Sequence, residues 1–175
     1  MFLRGATVRI LALAGVGDRT PSSLVCLAPL DASVDPKTCM GTWYVQYQIP
    51  AVNFLEEGAR NGVELYEWDD DAEQRFSVRY TFNRKGSANE QITTIRQRGW
   101  VDSAQGTRWA VSPLVGPVRL PVRLPFLIID VEPASHMVCT GGVNTWMYLM
   151  SREQKPDSKV IERCLAKVKA AGFDM

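Results

Sequence analysis

Residues 75–83, RFSVRYTFN, place Phe76, Val78, Tyr80 and Phe82 at every second position. A period of two turns all four side chains to one face of a strand. The same short β-rich texture recurs from residue 41 onward, in GTWYVQYQ (41–48), GVELYEW (62–68), QITTIRQRGWV (91–101), TRWAVSP (107–113), PFLIIDV (125–131), HMVCTG (136–141) and WMYLMSR (146–152). Turn-forming stretches such as DDDAEQ, RKGSAN and SAQG separate the runs, and carboxylates, asparagine and glycine favour such turns for their local hydrogen bonds and backbone freedom. Eight strands with mostly short connections fold naturally as an antiparallel meander, and closing the meander into a barrel removes its exposed edges.

The period then changes. In KVIERCLAKVKAAG (159–172), Val160, Ile161, Cys164, Leu165 and Val168 recur at helical spacing. Asp157 or Ser158 can cap the start of this helix and Gly172 its end. The expected fold is all-β: an eight-stranded antiparallel up-and-down barrel with one C-terminal α-helix packed outside. Residues 39–175 form that unit, and residues 1–38 form a targeting segment or an N-terminal arm.

At 175 residues and 46% hydrophobic content the chain suffices for one domain with a sizeable core. Its 20 basic and 19 acidic residues are dispersed and sum to +1, so no basic stripe exists to track phosphates and nucleic acid is not an expected partner. No apolar run approaches the roughly 20 residues that span a bilayer. The first 17 residues, MFLRGATVRILALAGVG, hold Arg4 and Arg9 but no acid. That composition suits a targeting peptide, organellar more than secretory because arginine interrupts its apolar core; the alternative is an arm packed on the barrel or on a partner.

Four cysteines, Cys26, Cys39, Cys139 and Cys164, are widely spaced, which argues against zinc-finger and thioredoxin-like sites. An even count on an exported chain reads better as one or two disulfides. His136 is the sole histidine, so neither a histidine-based metal cluster nor a Ser-His-Asp triad is expected, and His136 should face solvent in a turn. Asp69, Asp70 and Asp71 read as a solvated hairpin turn, and GSAN and SAQG as turn chemistry and not a phosphate cradle. No metal and no cofactor are expected.

The Gly41-Thr42-Trp43 opening, the Ser151-Arg152 ending about a hundred residues later and the helix after it resemble the lipocalin family. The similarity runs over about residues 39–174 and looks closest to the apolipoprotein D, bacterial and chloroplastic branch, on AKVKAAGFD (166–174) and the proline-rich VGPVRLPVRLPFLIIDVEP (115–133). The family's Gly-Asp-Tyr or Thr-Asp-Tyr turn is absent; Leu124, Pro125 and Phe126 stand there. The resemblance implies that Trp43 plugs the barrel floor with Arg152 across its ring, a cation over an indole face. It implies a Cys26–Cys139 disulfide tying the N-terminal arm to the barrel, and leaves Cys39 and Cys164 either bridged or as buried thiols. It also implies an organellar location, plastid or thylakoid lumen foremost, or a secretory one, and not the cytosol.

Counting by twos from Trp43 turns Val45 and Tyr47 inward, and counting back from Arg152 turns Met150, Tyr148 and Trp146 inward, an assignment that one bulge would invert. Phe54 and Leu55, in the first loop, belong at the mouth. Glu64 and Glu67 either face outward or into a polar lumen. The function this implies is carriage of a small hydrophobic ligand (a fatty acid, lysophospholipid, sterol or carotenoid) inside the cup, driven by removal of apolar surface from water. The alternative is an accessory subunit of a membrane-associated complex, organellar and photosynthetic, docking through its exterior; the N-terminal arm and RLPVRLP, with Arg119 and Arg123 among apolar residues, motivate it. Its partners would be a membrane surface or a membrane-protein complex. Xanthophyll-cycle de-epoxidases share a lipocalin domain, but they need Cys-rich and acidic regions that this chain lacks, so no enzymatic activity is expected.

Overall fold

A computed structural model of the chain describes residues 30–51, 56–84, 92–142 and 145–173. A short 3-10 turn, Pro36–Cys39, precedes the first strand, capped by the Asp35 carboxylate on the Lys37 amide. The strands are β1 (Gly41–Ile49), β2 (Arg60–Asp70), β3 (Arg75–Asn83), β4 (Ile92–Val101), β5 (Arg108–Val115), β6 (Val118–Arg119), β7 (Leu124–Glu132), β8 (His136–Thr140) and β9 (Met147–Ser151), followed by helix α1 (Ser158–Ala170). Each long strand pairs antiparallel with its neighbour, β9 returns to β1, and β4 pairs with β5, so the eight long strands close on themselves. This is the expected barrel. The proline-rich passage adds β6, a two-residue hairpin arm on β5. No helix among the described residues is long and apolar enough to cross a membrane.

Alternation splits the core in two. Inside the barrel lie Trp43, Tyr66, Phe76, Val78, Tyr80, Phe82, Trp109, Phe126, Ile128, Met137, Cys139, Tyr148 and Met150. Outside, Val138, Met147 and Leu149 meet Cys164, Val168 and Phe173 beneath α1. Helix α1 begins where the Asp157 side chain accepts from the Lys159 amide at 2.9 Å, and it ends at Gly172, whose φ of +90° suits the residue without a Cβ. Lys167 and Lys169 in its last turn complement the helix dipole.

The floor is as the resemblance implies. The Arg152 guanidinium lies 3.6 Å from the centroid of the fully buried Trp43 ring. Its nitrogens donate to the carbonyls of Pro133, Thr42, Thr38 and Met40 at 2.8, 2.9, 3.0 and 2.8 Å, and Trp43 Nε1 donates to the Cys39 carbonyl at 2.8 Å. Gly41 is required here: its φ is +95°, and a Cβ would stand 3.3 Å from Arg152 Nη1.

Two β-bulges change what alternation alone dictates. In β1 the register with β9 slips between Val45 and Tyr47. Val45 still opposes the inward Met150, but Tyr47 then opposes Leu149, which faces the helix, and Gln48 opposes the inward Tyr148. Tyr47 is therefore on the outer surface, 38% exposed, which corrects its inward assignment. In β7 a second bulge falls between Ile128 and Asp130. Ile128 stays inside while Ile129 joins the helix-facing cluster and Asp130 opposes the outward Val138.

Trp100 faces outward and is covered: Arg123 lies 4.2 Å and Arg119 5.6 Å from its ring centroid. Both arginines of the proline-rich passage are thus engaged with the barrel wall, and Val115, Val118, Val122 and Leu124 remain exposed beside them.

Candidate functional site

A chain of aromatic contacts climbs from the interior to the mouth. Phe76 meets Trp109 at 4.8 Å, Trp109 stacks on Phe126 at 5.2 Å, Phe126 meets Trp146 at 5.4 Å, Trp146 meets Tyr148 at 5.6 Å, and Tyr148 meets Tyr80 at 5.7 Å between centroids. Gly141 lets the Trp146 indole lie flat against the backbone, since a Cβ there would fall 2.3 Å from Nε1. Of the residues assigned inward from sequence, Tyr148 and Met150 are buried in the interior, and Val45 and Trp146 pack against it half-buried. Phe54 and Leu55 lie outside the described residues.

The aromatic wall encloses a polar centre. Glu64, from β2, and Glu56, from the end of the first loop, are 5% and 3% exposed. The Tyr66 hydroxyl donates to Glu64 Oε2, the Tyr148 hydroxyl donates to Glu56 Oε2, and the Ala51 amide donates to the same Glu56 oxygen at 3.1 Å. Gln48, turned inward by the β1 bulge, accepts from the Tyr80 hydroxyl at 2.7 Å. Burial pushes the Glu64 carboxyl up to about 7; the Tyr66 hydrogen bond opposes that rise and the Glu56 charge adds to it. Burial, and then the Glu64 charge, push the Tyr66, Tyr80 and Tyr148 phenols up, keeping them protonated hydrogen-bond donors.

A cavity of about 40 Å³ remains among Ala51, Glu56, Glu64, Tyr66, Tyr80, Gln97, Val111, Leu124, Phe126, Trp146 and Tyr148. At ~10–15 Å³ per water it has room for a few waters. Among the described residues its lining holds two carboxylates and no lysine, arginine or histidine. Sequence reasoning left Glu64 open between outside and lumen and did not single out Glu56. The signal for Glu64 was its parity with Tyr66; that for Glu56 lay in a loop, where no periodicity applies.

Cys39, Cys139 and Cys164 are buried free thiols, and no disulfide joins described residues. Cys39 and Cys164 belong to the interior and helix-side clusters respectively, which decides the open alternative in favour of buried thiols. Cys139 points into the barrel; its proposed partner Cys26 lies outside the described residues. Asp69 and Asp71 are exposed near the β2–β3 turn, and Asp71 pairs with Lys37 at 2.5 Å.

His136 is a correction: it is 4% exposed at the start of β8, not in a solvated turn. Its Nδ1 is 3.3 Å from Ser135 Oγ and its Nε2 3.3 Å from Asp130 Oδ2. Cys164 Sγ reaches the same Asp130 oxygen at 4.0 Å, and Lys167 Nζ donates to the other, Oδ1, at 2.8 Å. Sequence reasoning weighed His136 only for a histidine-based cluster or a triad; the structure brings it together with donors of two other types, because β7, β8 and α1 each deliver one to the same place.

No curated protein sequence matches the chain. Among solved structures, it is similar to insecticyanin from the tobacco hornworm Manduca sexta, with a TM-score of 0.61 and 11% identity over 82% of this chain and 77% of that one. It is similar to the amine-binding protein of Rhodnius prolixus, solved as its tryptamine complex, with a TM-score of 0.58 and 11% identity over 85% and 82% of the two chains. Lobster apocrustacyanin A1 gives a TM-score of 0.55 and 12% identity over 88% of each. At such identities these likenesses speak to the fold. The model of the lipocalin-like domain family matches residues 34–175, and the chain belongs to that family.

Proposed function

We propose that this protein binds a small organic amine in the barrel lumen, with its ammonium group against Glu56 and Glu64 and its carbon skeleton against the aromatic wall. The observation that carries this reading is the pair of buried carboxylates in a cavity whose described lining residues include no basic side chain. Burying charge without a partner is costly, and a bound cation would offset that cost. The same cation would lie among Tyr66, Tyr80, Tyr148 and Trp146, whose ring faces attract it. The tryptamine complex of the Rhodnius prolixus protein supports the chemistry as one that a barrel of this shape can hold.

Within the broader expectation of a small-ligand carrier, fatty acids suit this lumen less well. They would add a third carboxylate beside two others. Sterols and carotenoids exceed the free space of about 40 Å³ many times over, against the ~300–1,000 Å³ of pockets for drug-sized ligands. An amine larger than a few waters enters by moving side chains at the mouth, where Leu124 is 42% exposed and Trp146 half-buried.

Calorimetric titration at pH 8 with choline, tyramine and tryptamine, each beside a neutral isostere (3,3-dimethylbutanol, 4-propylphenol, 3-propylindole) and palmitate, tests the reading. At least one amine should bind tenfold or more tightly than its isostere. Palmitate or the isosteres binding as tightly as every amine would overturn it.

A second reading, an accessory subunit of a membrane-associated assembly, draws on exposed Val115, Val118, Val122 and Leu124 around the proline-rich arm. Size-exclusion chromatography of native extract separates it from the first, since a free carrier elutes near its own 19.5 kDa.

A further inference from the structure

The mixed-donor cluster beneath α1 lies outside the barrel and has no part in the lumen. It joins three donor types that rarely meet unless paired or ligating: a carboxylate, an imidazole and a thiol, all buried, with ligand atoms within 4.8 Å of one another. We propose that Asp130, His136 and Cys164 form a binding site for a divalent transition metal of the zinc type, which fastens helix α1 to the β7–β8 hairpin.

Several features support the assignment beyond proximity. The donors match the ion, since zinc takes thiolate, imidazole and carboxylate together. The spacing is close to that of a filled site. Ligand bonds of about 2.0–2.3 Å in tetrahedral geometry put neighbouring donor atoms roughly 3.3–3.5 Å apart, and the separations are 3.3 Å for His136 Nε2 to Asp130 Oδ2 and 4.0 Å for Cys164 Sγ to that oxygen.

The surrounding hydrogen bonds also suit ligation. His136 Nδ1 lies 3.3 Å from Ser135 Oγ and Nε2 faces Asp130 Oδ2 at 3.3 Å; ligation through Nε2 requires the tautomer protonated at Nδ1, for which Ser135 Oγ is the acceptor. Lys167 occupies only Oδ1, leaving Oδ2 for the metal and orienting the carboxylate, as partners of ligating groups commonly do. The β7 bulge is what turns Asp130 out to this place, and bulges often serve to re-aim one side chain.

A thiolate and a carboxylate offset the dication, the Cys164 proton leaves to solvent on binding, and the one surplus positive charge is that of Lys167, which is half exposed to solvent; a water completes four positions on that side.

The test uses the full chain, made metal-free and refolded with Co²⁺ so that burial does not block entry. Wild type should take up one equivalent and show thiolate-to-cobalt charge-transfer absorption. One equivalent of Zn²⁺ should raise its melting temperature. Cys164→Ser and His136→Gln should lose both signals while their metal-free melting temperatures stay near wild type, and Cys139→Ala should keep them. Ser135→Ala should weaken Co²⁺ binding by roughly 10–100-fold, the usual effect of removing a partner of a ligand. Absence of the absorption in folded wild type would overturn the proposal. So would its survival in Cys164→Ser, including survival there with loss in Cys26→Ser.

Discussion

Glu64 carries a pH dependence whose sign follows from its raised carboxyl. Between 4.5, its ordinary value, and about 7 the folded chain keeps a proton that the unfolded chain has released. Stability therefore falls as pH rises through that window, by ~3 kcal/mol for this group, and stays low above it. Glu64→Gln keeps an acceptor for the Tyr66 hydroxyl and removes the buried charge. Urea melts at pH 8 should show the variant more stable than wild type by up to ~3 kcal/mol, with little difference at pH 4.5; equal stability at pH 8 would mean that the carboxylate is already compensated. At the floor, Trp43→Ala should cost about 3–5 kcal/mol, as for other fully buried large aromatics. Arg152→Ala should cost stability through the lost cation–π contact and four carbonyl bonds. The pair touch, so a double-mutant cycle should return a coupling of about 0.5–3 kcal/mol; additive effects would remove the Arg152–Trp43 contact from the account. Trp43 and Arg152 were legible because the motif around each is local. Tyr47 was not, because its outward turn depends on a single extra residue in β1 that no alternation pattern announces.

Among the elements, α1 and the two bulges set what each face of the sheet offers. The helix was legible from its spacing and caps, since Val160, Ile161, Cys164, Leu165 and Val168 form one apolar stripe and that stripe meets Val138, Met147 and Leu149. Val168→Asp should place an unpaired carboxylate in that seam and cost several kcal/mol. Hydrogen exchange should then show α1 amides losing protection while β2–β5 amides keep theirs, because the interior cluster does not include the helix. Uniform loss of protection would mean that barrel and helix form one cooperative unit. The bulges were illegible for a shared reason: each is a slip in register against a partner strand, β1 against the distant β9 and β7 against the adjacent β8, and no pattern within the bulged strand announces it. They decide the chemistry nonetheless, bringing Gln48 into the lumen and Asp130 out beneath the helix.

For the whole molecule, eight alternating runs and a closing helix sufficed to specify a closed barrel, since only closure pairs every strand edge. The content of the lumen was much less legible. Its small free volume arises from how Tyr66, Tyr80, Phe126, Trp146 and Tyr148 interdigitate, and Glu56 reaches it from a loop. The mixed-donor cluster was hidden likewise, its members being supplied by three separate elements. The account rests on the two lumen carboxylates acting as the counter-charge for a cationic ligand. Calorimetric titration of the preferred amine and its neutral isostere at pH 8 into wild type and the Glu56→Gln/Glu64→Gln double variant tests that most directly. The variant should bind the amine at least tenfold more weakly, a loss of ~1.4 kcal/mol or more, and bind the isostere as wild type does. Undiminished amine affinity in the double variant would contradict the account.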